Sequence, residues 1–102
     1  MSDIGHRTDR EFEQDFIINF GKGIRGSFIR YRNKISGVML AHQKKDDEIC
    51  AIAIFWTEVG DRPIWTKTSD EPLTLEESIR CSCGLHGWIK EGQWEHAPDS
   101  IQ

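Results

Sequence analysis

The chain has 102 residues, 37% of them hydrophobic and 29% charged, with a formal net charge of −4 at pH 7. That length fits one domain, and the composition is that of a globular rather than a disordered chain. The acidic balance excludes a general nucleic-acid binder, because phosphate contacts need a cationic surface. The sequence shows no apolar run long enough to span a bilayer and no apolar leader after Met1, so neither a nucleic-acid nor a membrane partner is expected. Three cysteines cannot close a paired disulfide framework and point to a reducing compartment, the cytoplasm being the simplest address.

Residues 1–7 read as a loose lead-in to a single domain spanning 1–102. Thr8 stands three residues before Glu11, a capping-box spacing, and Phe12, Phe16 and Phe20 follow at helical intervals. This pattern predicts an amphipathic helix over 8–20. Gly21, Gly23 and Gly26 end it. They also form a G-x-G-x-x-G, but without the preceding strand that a dinucleotide loop requires. From 26 to 96 the pattern is β. Ser27–Arg32 alternates, Ile35–Ala41 is apolar, and Lys44–Glu48 is a charged turn. Ile49–Thr57 is a continuous apolar run that predicts a central strand buried on both faces. Gly60–Pro63 is a turn, Ile64–Lys67 a short strand, and Thr68–Glu71 loop-like. Extended pieces follow at Leu75–Cys81 and His86–Lys90, and Glu91-Gly92 turns the chain into Gln93–His96. Residues 97–102 are a tail. The expected fold is α+β: one N-terminal amphipathic helix packed on a mainly antiparallel sheet of five to seven short strands.

Gly21–Lys34 carries Lys22, Arg25, Arg30, Arg32 and Lys34 with no acid. It reads either as a solvated hairpin face or as a basic strip for an acidic partner. The four tryptophans, Trp56, Trp65, Trp88 and Trp94, are core residues or interface anchors.

Reactive side chains concentrate in Ser78–His96. Cys81 and Cys83 are soft ligands, His86 follows three residues on, and His96 or His42 is available as a fourth ligand. Tetrahedral zinc takes such a mixture, and C-x-C on a strand would put both sulfurs on one face. The same stretch also supports a nucleophile–base–acid reading, with Ser78 as nucleophile, His86 as base and Asp99 orienting the imidazole.

The run Pro72-Leu73-Thr74-Leu75-Glu76-Glu77-Ser78-Ile79, followed by Cys81-Ser82-Cys83-Gly84-Leu85-His86-Gly87-Trp88-Ile89-Lys90-Glu91-Gly92-Gln93-Trp94, resembles a family of small phage and prophage proteins of unknown function. Members are often labelled ammonia monooxygenase, and a related protein stands in bacterial ubiquitin-like (Bub) conjugation operons, where it is viewed as a peptidase. The resemblance covers about the last third of the chain. Ser78, His86, Asp99 and Ser100 fall on the family's matching positions. Glu76-Glu77 replaces a Ser-Pro pair, and Gln102 stands where many members close with histidine. If the family is catalytic, the resemblance implies Ser78, His86 and Asp99 as a triad in a small peptidase-like hydrolase. The oxygenase label has no support in a chain without a membrane span. The other reading is a phage or prophage accessory protein that acts by contact with a host or phage protein in the host cytoplasm, for instance against a host defence system. It would carry a candidate zinc site of Cys81, Cys83, His86 and His96.

Overall fold

The structure is a computed structural model and describes residues 15–43 and 48–100. Among these residues every regular element is a strand, and the strands form three antiparallel sheets. The first sheet has the order β1 (Ile18–Gly21), β2 (Ile24–Tyr31), β3 (Lys34–Gln43) and β4 (Ile49–Phe55). A two-stranded ribbon pairs β5 (Lys67–Asp70) with β6 (Leu73–Leu75). The third sheet runs β7 (Ile79–Arg80), β8 (His86–Lys90) and β9 (Gln93–His96).

The expected α+β fold is therefore corrected to an all-β one. Residues 18–20, the end of the expected helix over 8–20, belong to the strand Ile18–Gly21, and residues 8–14 lie outside the described residues. The phenylalanine spacing misleads because Phe16 and Phe20 do not share a helix face. Phe20 points into the main core, whereas Phe16 joins a separate cluster with Ala41, Met39 and Ile49. Arg25 fixes that arrangement by donating from Nε to the Phe16 carbonyl at 2.7 Å. The glycines at 21 and 23 serve a hairpin turn between β1 and β2 rather than a phosphate loop.

Hairpin turns set the registers. Arg32-Asn33 and Glu91-Gly92 are two-residue connections with positive φ at both positions (52° and 64°, 51° and 75°), the handedness that matches strand twist. Around Arg32-Asn33, β2 pairs with β3 so that Gly26 faces Leu40 and Ile24 faces His42. β4 is not the expected central strand. Among the described residues it pairs with β3 on one side and meets a single bridge, Phe55 to Ile64, on the other, and Ala51 is exposed. The segment expected to be a loop, Thr68–Glu71, is mostly strand β5. Ile64 supplies that lone bridge rather than beginning a strand.

Alternation along β3 and β4 buries Val38, Leu40 and Ile54, and this face meets Leu75, Ile79, Ile89 and Trp94 from the other sheets and Leu85 from the β7–β8 loop. Trp94 is 2% exposed, and burying so large an indole dominates this core. Gly87 is required beneath it, since a Cβ there would lie 2.6 Å from the indole and 2.3 Å from the Glu95 carbonyl. Trp56 and Trp65 pack against the core margin, and Trp88 is half-buried.

Candidate functional site

The third sheet sorts the reactive residues onto two faces. On β7, Ile79 is buried and Arg80 exposed; on β8, Gly87 and Ile89 are buried while His86 and Trp88 lie on the other side. Arg80 and His86 are directly paired, so their side chains share the outer face. There His86 Nδ1 lies 2.6 Å from Asp99 Oδ1, and Arg80 donates to Asp99 Oδ2 at 3.1 Å. A carboxylate only accepts, so His86 Nδ1 is the donor in the short contact, and Arg80 stands 3.3 Å from the same nitrogen. The hydrogen bonds from His86 and then Arg80 hold the Asp99 carboxyl below its usual pKa. The expected tail is thus tied down: Ala97 donates to the His86 carbonyl, and the His86 amide donates to Ser100 Oγ.

The structure brings His86 and Asp99 together. It does not join Ser78 to them. Ser78 gives its carbonyl to Trp65 Nε1 at 3.1 Å, and no hydrogen bond links its hydroxyl to His86 among the described residues. The neighbouring Glu77 accepts from the Thr66 amide and hydroxyl at 2.6 and 2.7 Å, which pins this stretch to the ribbon.

On the inner side, the thiols of Cys50, Cys81 and Cys83 lie within 4.8 Å of one another. Cys50 comes from the start of β4. The other two come from the loop between β7 and β8, which is a turn and not the strand expected from the C-x-C spacing. That loop closes through Cys81 N to Leu85 O (2.8 Å) and Gly84 N to Cys81 O (3.0 Å), and Gly84 takes φ 97°. It is a three-residue hairpin loop whose third residue needs the left-handed conformation, and glycine adopts it freely. Cys83 is thereby folded back beside Cys81.

Cys50 Sγ and Cys81 Sγ are 3.0 Å apart. Burial, followed by hydrogen bonding to Cys81 and Cys83, pushes the Cys50 thiol up to about 12. Burial also opposes ionisation of Cys81. The Cys83 amide, with Cys50, Cys83 and Ser82, outweighs it and brings Cys81 below the ordinary thiol value. The two sulfurs are thus shifted in opposite directions, Cys50 towards the thiol and Cys81 towards easier ionisation. All three cannot ionise without a cation between them.

A metal fits this donor set. Three sulfurs bound tetrahedrally at about 2.3 Å would stand about 3.8 Å apart, within the span the thiols already occupy. The three cysteines can therefore bind a metal. The histidines first paired with them are placed otherwise. His86 faces outward onto Asp99, and His96 Nδ1 accepts from Trp94 Nε1 at 3.1 Å. Cys50 is the member that the sequence reading missed. The β3–β4 register sets Gln43 opposite Ile49 and so His42 opposite Cys50, while the turn expected at Lys44–Glu48 lies, up to residue 47, outside the described residues.

Among the described residues, no helix is long and apolar enough to cross a membrane. Comparison with protein-family models, curated proteins and solved structures finds no match to the chain.

Proposed function

We propose that this chain is a small contact protein whose two main sheets are stapled by a zinc–thiolate site, and that it acts by binding an acidic face of another protein. The observation that carries the reading is the position of the three thiols. Cys50 belongs to the first sheet and Cys81 and Cys83 to the loop that joins two strands of the third, so one ion there joins parts of the chain about thirty residues apart (Cys50 and Cys81 are 31 apart). Soft thiolates favour zinc over hard cations, and sites built mainly of thiolates are typically structural. The resemblance to phage proteins supports an accessory role of this kind in a host cytoplasm.

The contact surface is the tip of the β2–β3 hairpin. Phe28, Tyr31 and Ile35 are each 40% or more exposed, and Arg30, Arg32 and Lys34 stand among them. Arg32 lies over the Tyr31 ring. Exposed aromatics interleaved with cations on a chain of net charge −4 suit an acidic protein surface.

Metal analysis of protein purified without added zinc tests the staple: about one equivalent supports it, and less than a tenth removes it. Titration with an oligoglutamate peptide, followed by amide chemical shifts, tests the tip. Shifts confined to residues 28–35, and lost in the Arg30→Glu/Arg32→Glu variant, support it.

The His86–Asp99 contact favours a second reading, a peptidase-like hydrolase with His86 as general base, Asp99 as its orienting group and Ser78 as nucleophile. Peptide hydrolysis that is lost in Ser78→Ala and in His86→Ala would establish it. Hydrolysis unchanged in Ser78→Ala would end it.

A further inference from the structure

Three sulfurs leave one place in a tetrahedral shell, and strand register brings a histidine to the same corner, its ring nitrogens standing outside the 4.8 Å group that the thiols form, so that a turn of the imidazole is needed to bring one in. On β3 and β4 the core-facing pairs run in sequence: Val38 opposite Ile54, Leu40 opposite Ile52, and His42 opposite Cys50. The first two pairs are apolar. The third places an imidazole and a thiol on the same face at the end of the same row. Directly opposed side chains in an antiparallel pair have Cβ atoms about 4.5–5.5 Å apart, which is within reach of one shared ion. His42 also lines a small cavity of about 10 Å³ together with Cys50, Cys81, Ile24, Leu40 and Leu85. That is about the space of one water-sized probe. Nδ1 of His42 is shielded from solvent.

We propose that His42 is the fourth ligand, giving a Cys50–Cys81–Cys83–His42 zinc site; this rests on reading the three thiols as a metal site. The residues come from β3, β4 and the β7–β8 loop. The unfolded chain holds no such arrangement, so the ion binds the folded domain and stabilises it. Three thiolates and a neutral imidazole around a divalent ion leave one net negative charge. The Cys83 amide beside Cys81 offsets part of it.

Cobalt(II) substitution in the full chain tests the assignment, because thiolate charge-transfer bands report sulfur ligation and the ligand-field bands report the fourth donor. Wild type is expected to bind one cobalt with a tetrahedral three-sulfur, one-nitrogen spectrum. His42→Ala should weaken zinc binding by about tenfold or more and alter the ligand-field bands, and added imidazole should restore them. His42→Cys should keep tight binding and give a four-sulfur spectrum, which separates loss of a ligand from loss of the fold. A His42→Ala protein with wild-type spectrum and zinc affinity would overturn the assignment while leaving the thiol site standing. Wild-type protein that takes up neither cobalt nor zinc would overturn both.

Discussion

The thiol corner and the His86–Asp99 cluster are built from the same hairpin and end in opposite surroundings. Cys81 is 5% exposed and packed into the core, whereas Asp99 is 61% exposed at its side chain and paired with an equally open Arg80. A single change of face along β7 makes the difference. In the core, thiols cannot all ionise unless a cation compensates them, so a metal there would bear on the whole fold. At the surface, water and salt screen the His86–Asp99–Arg80 contacts, so they orient an imidazole while adding little to stability.

Removing sulfur should have the largest effect. A Cys81→Ser/Cys83→Ser variant should lose its metal and melt more than about 15 °C lower. Binding at a thousand times Kd contributes about 4 kcal/mol, and a domain of this size shifts by several degrees per kcal/mol. Calorimetry with and without a chelator checks this, and equal melting of variant and wild type would break the contrast between the two regions. Next is Gly87→Ala, which crowds the Trp94 indole from the same sheet without touching a ligand. It should cost about 1–3 kcal/mol in both the zinc-loaded and the chelated protein, as read by denaturant unfolding.

A smaller effect concerns alkaline pH. The folded Cys50 thiol is raised from 9.0 to about 12, so the unfolded chain ionises first. Its contribution is fully present below pH 9 and is lost as pH rises towards 12. The chelated protein should lose stability across that window. The zinc form, whose thiols are already deprotonated by the metal, should lose less. Smallest is Asp99→Asn, which should leave zinc content unchanged and shift the melting point least. The Asp99 carboxyl is depressed by His86 and Arg80, so its contribution is present above the ordinary carboxylate pKa and is lost as pH falls through the lowered folded value. In wild type this small acid-side loss should be visible by thermal melts, and it should vanish in Asp99→Asn.

Much of the sheet structure was legible. His86–Lys90 and the turn at Glu91-Gly92 stand as the alternation and the turn chemistry imply, and Ile49–Phe55 is a strand. Its rank in the sheet was not legible, because an apolar run shows burial and not which neighbours pair with it. The helix reading does not hold over residues 16–20, because a four-residue phenylalanine interval also arises when a chain crosses from one side of a sheet to the other, as it does between Phe16 and Phe20. In the site, spacing grouped Cys81, Cys83 and His86 because they are close in sequence. Strand alternation then separates the sulfurs from the histidine and brings in Cys50 from 31 residues away. Local spacing carries no record of that long-range register.

The most direct measurement is zinc stoichiometry by elemental analysis on protein purified without added metal, with the free thiols counted before and after chelation. About one zinc per chain, with three thiols becoming reactive only when it is removed, is the predicted result. Less than a tenth of an equivalent, with three thiols reactive from the start and no change in melting point on adding zinc, would contradict it.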